Sequence, residues 1–380
     1  RRLVFINQTL GTGGAETFNS QLLNWFSTQG ISVTAHIAGE NFYSTAYPIP
    51  VVIDIIGNWK GLIKGLFLLP YAVFHYTLLV WKSRHADIIL MTGFIEKILV
   101  TPIAKILKIP VIWVEFAPLE TVFTKFFGLP KFLYLMVKSL PDRIIVPSRH
   151  TASHLIPNAH ISAAKVAIIP CARDISAFSI QHSAFSSHAV CCVSRLESGK
   201  GQDLLIRAWV KVVRQIPDAK LRIVGSGAQH QNLKFQISNL KLSSSIELAG
   251  WVSDSLTEMS TSQIVVFPSR WDLEGFGLVA VEAMALSKPV VCFNRGPINE
   301  IVDSSCGILV PDADIDALSS AIVKLLKNPQ LAGKLGVSAH KKYLANYTFS
   351  HIGPRYSQVI RQVIARHRAH ELLAAAYSAV

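Results

Sequence analysis

Along most of the chain, short and nearly unbroken apolar runs alternate with longer stretches in which apolar residues recur every three to four positions. The short runs fall at 3–7, 32–37, 51–55, 87–91, 111–114, 143–146 and 166–169, and then at 189–193, 220–224, 246–249, 264–267, 289–292 and 307–310. Runs of that length and continuity predict strands covered on both faces, and the stretches between them predict crossover helices. Strand and helix in strict alternation imply βαβ units and parallel sheets. The predicted class is therefore α/β, with two Rossmann-like parallel-sheet domains. A polar, Ser- and His-rich segment at 178–188 interrupts the pattern near the middle. It divides the chain into a first domain at 1–178, a linker at 179–188, a second domain at 189–350 and a helical tail at 351–380.

Two stretches depart from the ordinary crossover pattern. Residues 65–81 contain no Asp, Glu, Lys or Arg. A buried helix leading into the strand at Asp87 and a membrane-facing helix both fit that run; at this length, with Pro70 and His75 inside, a full span is disfavoured. Residues 121–140 mix Phe123, Phe126, Phe127 and Phe132 with Lys125, Lys131 and Lys138. Rings that enter the acyl boundary beside lysines that meet anionic head groups make an interfacial helix, and packing against another domain gives a similar composition.

With 380 residues, 50% of them hydrophobic and 16% charged, the chain has ample apolar material for two cores and is no disordered segment. The formal charge of +13 is spread over both halves, so diffuse attraction to nucleotides, lipid head groups or polyphosphates is expected. No nucleic-acid recognition motif accompanies it. The five cysteines, Cys171, Cys191, Cys192, Cys292 and Cys306, lack metal-ligand spacing and are odd in number. They read as small buried hydrophobes in a reducing compartment. The opening Arg1-Arg2-Leu3-Val4-Phe5-Ile6 reads as a first strand rather than a signal peptide.

Candidate chemistry clusters at strand ends. Gly11-Thr12-Gly13-Gly14-Ala15-Glu16 follows the first strand, where glycines let a backbone approach a phosphate. A dinucleotide fingerprint would need a third glycine at Glu16, whose carboxylate repels a pyrophosphate. Glu40 lies at the distance of a ribose ligand, so a dehydrogenase is the weaker reading and a plain tight turn a further one. In the second half, Arg195 and Lys200 lie in the loop after the strand at 189–193 and suit a diphosphate as fork and point charge. Gly225 and Gly250-Trp251-Val252 mark two further strand ends. The most informative segment is 274–285, Glu-Gly-Phe-Gly-Leu-Val-Ala-Val-Glu-Ala-Met-Ala. Helix formers begin at Leu278, so the N–H groups around Phe276, Gly277 and Leu278 form a free helix start and an anion site. Glu282 then lies roughly 6 Å along the axis, about a phosphate-to-ribose distance. Glu274 precedes the helix, on the side where a phosphate-linked group would extend. Asp312-Ala313-Asp314 is a D-x-D triplet ahead of a predicted helix, and helix capping is its favoured role.

On these motifs the chain resembles retaining glycosyltransferase family 4, of the GT-B fold. The spacing of Glu274 and Glu282 matches that family's E-x7-E motif, and 268–291 (PSRWDLEGFGLVAVEAMALSKPVV) follows the family closely. GGAE at 13–16, IPCARD at 169–174, VSRLESGKG at 193–201, IVGSG at 223–227, LAGWV at 248–252, GPINEIV at 296–302 and GILVP at 307–311 stand in family order. The resemblance implies two domains facing a cleft, with the C-terminal helices at 351–380 crossing back onto the first. It implies a retaining hexosyl transfer, without a metal or bound cofactor, from a nucleotide-diphosphate-sugar to a glycan or lipid-linked acceptor in polysaccharide assembly. Glu274, Arg195 and Lys200 would be catalytic. Gly14, Gly225, Val252, Gly275, Phe276, Gly277, Leu278 and Glu282 would join them in holding the donor, with Glu282 on the ribose.

Gly13, Glu16 and Glu115 are the acceptor-side candidates. Glu115 enters because the family's His at the end of the fourth strand of the first domain is missing from 113–117. Cys171-Ala172 likewise replace an amide and a glycine of the family pattern. The implied location is cytoplasmic, with peripheral contact to an anionic membrane face. The alternatives are a nucleotide-sugar epimerase, a sugar phosphorylase, or a non-catalytic nucleotide-sugar-binding protein of the same fold.

Overall fold

A computed structural model describes residues 1–8, 13–38, 59–175 and 188–378. Its strands are β1 (Arg2–Gln8), β2 (Ser32–Ala38), β3 (Ile88–Met91), β4 (Val111–Val114), β5 (Arg143–Val146), β6 (Val166–Ile168), β7 (Ala189–Val193), β8 (Lys220–Val224), β9 (Ile246–Gly250), β10 (Ile264–Phe267), β11 (Val290–Phe293) and β12 (Gly307–Val310). They form two six-stranded sheets, ordered β2-β1-β3-β4-β5-β6 and β12-β11-β10-β7-β8-β9. Every pairing is parallel. Parallel strands need crossovers on both faces, which is why β3, β4, β10 and β11 are buried at every position. The predicted strand at 51–55 lies outside the described residues.

The chain divides into two compact units, Arg1–Cys171 with Phe349–Val380, and Ala172–Thr348. The second unit thus takes up the chain at Ala172, ahead of the segment read as a linker. Arg173 explains the shift: its N–H donates to the Tyr347 carbonyl at 3.0 Å, and its own carbonyl accepts from the Tyr343 hydroxyl at 2.9 Å. Of the predicted linker, only His188 lies within the described residues.

In the first unit one core joins alternate strand residues, Val4 and Ile6, Ile89 and Met91, Val111 and Trp113, Ile144 and Val146. The two-residue pleat puts these on one face of the sheet. Helices Trp59–Lys82, Phe94–Ile106 and Leu129–Val137 complete that core through Tyr76, Ile98 and Tyr134, so all three lie on the same side. Helix Trp59–Lys82 is neither fully buried nor free. Leu62, Ala72, Tyr76, Leu79 and Val80 are buried, while Phe67 is 83% and Phe74 67% exposed. The stretch 121–140 is not one helix. It breaks into Glu120–Phe123, Lys125–Gly128 and Leu129–Val137, because Phe126 and Phe127 adopt left-handed backbone angles (φ 48° and 55°).

The C-terminal helix, Phe349–Ser378, belongs to the first unit, as the fold class implied. Phe18 of helix Gly14–Thr28 anchors it. The Phe18 ring lies 5.8 Å, centroid to centroid, from each of Phe116, Phe349 and Tyr356, and is fully buried. Replacing Phe18 by Ala empties this cluster and is expected to cost about 3–5 kcal/mol. Urea unfolding of the variant would show it, and a change within error would mean that the helix is held elsewhere.

Candidate active site

The second sheet reverses its order at β7. The chain runs outward through β8 and β9, then returns to β10 on the other side of β7 and continues through β11 to β12. Loops leaving the carboxyl ends of β7 and β10 therefore diverge, and the crevice between them is where open α/β sheets bind ligands. Those two loops carry Arg195 and Lys200, and Trp271 and Glu274, respectively.

The loops are drawn into direct contact. Gly201 has φ 77°, and a Cβ there would stand 1.9 Å from the Pro268 carbonyl oxygen, so only glycine fits. Arg270 N–H donates to the Gly199 carbonyl at 2.7 Å. On the other flank Gly225 packs so closely under the β7 loop that a Cβ would lie 1.9 Å from the Ser194 carbonyl oxygen. Gln202 completes the scaffold, donating to the Ser194 hydroxyl at 2.6 Å and to the Arg195 carbonyl at 2.9 Å.

On that scaffold Lys200 Nζ lies 2.6 Å from Glu274 Oε2, which also accepts from the Ser269 hydroxyl at 3.0 Å. The Trp271 ring takes both cations, with Lys200 Nζ 4.0 Å and Arg195 Cζ 4.5 Å from its centroid. Two cations and one carboxylate leave a positive excess, held in place by an aromatic face that attracts cations without neutralising them. Burial pushes the Lys200 ammonium below the usual lysine range; Arg195 adds to that shift and Glu274 opposes it.

Glu282 lies on helix Leu278–Ala285, whose first turn follows Gly277 and has no side-chain cap. Its partner is Arg173, whose Nε stands 2.8 Å from Glu282 Oε1 in an ionic contact that is not aligned as a hydrogen bond. Burial raises the Glu282 carboxyl above the ordinary range, and Arg173 counteracts part of that rise. Phe276 is buried with its ring 6.1 Å from Tyr347. Val252 follows the end of β9, whose Gly250 carbonyl accepts the Gly225 N–H at 2.7 Å.

Asp314 caps helix Ile315–Leu326 by accepting the Ala317 N–H at 2.8 Å. Asp312 pairs with Arg270 at 2.8 Å and Arg295 at 3.1 Å. Among the described residues no group of three His, Cys, Asp or Glu side chains is arranged to hold a metal ion.

The remaining candidates belong to the first unit. Gly13 precedes helix Gly14–Thr28, both glycines are exposed, and Glu16 sits half-buried in the first turn. Gly11, Thr12 and Glu40 lie outside the described residues. Glu115 follows β4 with its carboxylate inside the core: Lys97 Nζ is 2.9 Å from one oxygen and the Tyr134 hydroxyl donates to the other at 3.0 Å. Lys97 also donates to the Thr92 and Val114 carbonyls at 2.8 and 2.7 Å, tying the ends of β3 and β4 together. Arg173, Trp271 and Ser269 were not singled out from the sequence. Only the position of Trp271 and Ser269 inside the 268–291 motif, and of Arg173 inside 169–174, could have signalled them.

Comparison with known proteins decides the family. A family model described as glycosyl transferases group 1 matches residues 181–342, and one described as glycosyltransferase family 4 matches residues 12–177. The chain belongs to glycosyltransferase family 4.

Among curated relatives of this family 4 chain is a GDP-mannose-dependent monoacylated α-(1-6)-phosphatidylinositol monomannoside mannosyltransferase of Corynebacterium glutamicum. It is 30% identical over 179 residues, 45% of this chain and 46% of that protein. A GDP-mannose-dependent phosphatidylinositol monomannoside mannosyltransferase of Mycolicibacterium smegmatis is 32% identical over 45% of this chain and 47% of its own length. The matches thus span slightly less than half of these relatives. A glycosyltransferase structure from Rickettsia africae superposes with a TM-score of 0.78 at 18% identity, covering 96% of this chain and 98% of that one. Anabaena HepE in complex with UDP and glucose gives 0.77 at 18% identity, covering 95% and 99%. These two likenesses establish the shared GT-B fold.

Two pH effects follow from the geometry. In Glu274→Gln, Lys200 loses the acid that holds its proton, so its pKa falls further and its ammonium should titrate at a lower pH than in the parent. NMR titration of the Lys200 side chain reads this directly, and an unmoved titration would separate Lys200 from Glu274. In Arg173→Ala, the buried Glu282 loses its counter-charge and its carboxyl rises further. A raised folded-state pKa means stability present in acid and lost as pH rises, so the variant should lose roughly 3 kcal/mol at neutral pH and much less in acid. Equal losses at both would mean that the pair acts by packing rather than charge.

Proposed function

We propose that this enzyme is a retaining glycosyltransferase that moves a hexosyl group from a nucleotide-diphosphate-sugar to a glycan or lipid-linked acceptor, without a metal ion. The observation that carries this reading is the pair of cations on Trp271 at the point where the second sheet reverses, on a loop that runs on into the uncapped start of helix Leu278–Ala285. As the bond from sugar to diphosphate breaks, charge builds on the departing phosphate. In this reading Arg195, Lys200 and the N–H groups of Gly277 and Leu278 would stabilise that charge more than the ground state, which is what accelerates such a step. Arg195 and Lys200 thereby take the neutralising task that a divalent ion performs elsewhere.

Glu282, paired with Arg173, accepts from the ribose hydroxyls. Glu274, fixed by Lys200 and Ser269, accepts from the sugar hydroxyls and orients the reacting carbon. The acceptor approaches from the same face as the leaving group, so the anomeric configuration is kept. Relatives named for phosphatidylinositol-linked acceptors support a lipid-linked acceptor, and solved structures named as complexes with UDP support a donor that leaves a nucleoside diphosphate behind. The enzyme would work in the cytoplasm, at the face of a membrane where polysaccharides are assembled.

Screening nucleotide-sugars for slow hydrolysis identifies base and sugar together and needs no acceptor. Lys200→Ala is expected to lower turnover about 10²–10³-fold while leaving the fold intact, a loss typical of removing one charge-stabilising group. Undiminished turnover would remove the proposed mechanism. Proton NMR of the transferred sugar should show the anomer of the donor, and an inverted product would overturn retention. An isomerised nucleotide-sugar formed without acceptor would point to an epimerase.

A further inference from the structure

The outer face of helix Trp59–Lys82 is an exposed apolar surface of the first unit that the proposed glycosyl transfer does not use. Phe67, Tyr71, Phe74, Leu78 and Trp81 follow one another at steps of four, three, four and three, so they form a single stripe along the helix. They are between 37% and 83% exposed. A soluble helix ordinarily turns its polar side outward; here both sides are apolar, and the outward one carries the larger rings.

Charge is confined to the ends. Lys60 and Lys64 stand at the start and Lys82 and Arg84 at the finish, and residues 59–86 contain no Asp or Glu. Arg84 lies with its guanidinium 4.5 Å from the centre of the Trp81 ring and donates to the Trp81 carbonyl at 3.2 Å, which fixes a cation beside the last exposed aromatic. Beside this end a cavity of about 420 Å³ is lined by Arg2, His36, His75, Lys82 and His85 among others, and by no carboxylate. His75 Nε2 is buried and makes no hydrogen bond among the described residues.

A second exposed set belongs to the same layer of helices. Phe127, Phe132 and Met136 are 97%, 61% and 64% exposed, and Lys125, Lys131 and Lys138 are interleaved with them. Helices Trp59–Lys82 and Leu129–Val137 both pack on helix Phe94–Ile106 and share one core, so they lie on the same side of the sheet.

We propose that the outer face of helix Trp59–Lys82 lies in the plane of an anionic phospholipid surface, with its rings in the acyl boundary and the basic cavity at its end receiving a headgroup phosphate. The proposal rests on the reading of a membrane-face glycosyltransferase and names its membrane-binding surface. Helix Lys60–Lys82 is long and apolar enough to cross a bilayer, with a mean hydropathy of 1.5. Crossing would, however, pull Leu62, Ala72, Tyr76, Leu79 and Val80 out of the core of the first unit, where each is at most 5% exposed. An in-plane helix keeps that core and buries the outer stripe as well.

Sedimentation of the full chain with vesicles tests this, comparing phosphatidylcholine alone with phosphatidylcholine containing phosphatidylglycerol. The parent should bind the anionic vesicles at least about tenfold better, given several basic residues near the surface. The double variant Phe67→Ser/Phe74→Ser should bind them at least about tenfold more weakly, since two rings no longer enter the boundary. Lys82→Glu should lower binding to anionic vesicles only. Nucleotide-sugar hydrolysis in solution should be unchanged in both variants, because none of these residues belongs to the donor site. Undiminished vesicle binding by the double variant would overturn the proposal. So would a dimer that the same substitutions split into monomers, or retention of the parent on membranes through an alkaline carbonate wash, which marks a spanning helix. Vesicle binding that follows the stripe without any donor turnover would leave the docking surface standing and sink the glycosyl-transfer reading instead.

Discussion

A buried ammonium at the point of sheet reversal is the constraint around which the candidate site of the second unit is arranged. Moving an unpaired lysine head out of water costs several kcal/mol, and the protein offsets this at Lys200 with a carboxylate, a hydroxyl-braced geometry and an aromatic face. Glu274 lies 74 positions away in sequence, so the pair forms only once β7 and β10 are neighbours and their loops are pressed together at Gly201 and Pro268. Structure and site are therefore one event: the contacts that close the loops also fix the charges.

Each of the two motif glutamates carries its own cation before any ligand arrives, Lys200 on Glu274 and Arg173 on Glu282. The two pairs do different work. Lys200 is held by Glu274, and with Arg195 on the same Trp271 ring the local excess is positive, which under the proposed function would draw a phosphate. Arg173 sits beside Glu282 and opposes part of the rise that burial imposes on that carboxyl. One pair steadies a buried ammonium and the other moderates the upward shift of a buried acid.

Much of the architecture was legible because parallel strands announce themselves as uninterrupted apolar runs; β4, β5, β7, β8, β10 and β12 coincide with the predicted spans residue for residue. The helix start at Leu278 was legible for a related reason, since glycine-rich loop and helix formers change over at one residue. What escaped were contacts between distant segments. Nothing near Arg173 in sequence indicates Glu282, and nothing near Glu115 indicates that Lys97 and Tyr134 hold its carboxylate inside a core. Helix Trp59–Lys82 was ambiguous for another reason. Which face turns inward is read from polar–apolar contrast, and here both faces are apolar. At 121–140 the break at Phe126 and Phe127 has no composition cue, because neither residue is one that prefers left-handed angles.

The proposed chemistry requires a nucleoside diphosphate to settle at the β7 and β10 loops of the second unit. The most direct measurement is a crystal structure of the enzyme with such a nucleotide bound. It should place the terminal phosphate within hydrogen-bond reach of Lys200 and Arg195 and of the first N–H groups of helix Leu278–Ala285, with the ribose hydroxyls on Glu282. A nucleotide seated away from the β7 and β10 loops, with those cations still turned to Trp271 and Glu274 alone, would contradict it.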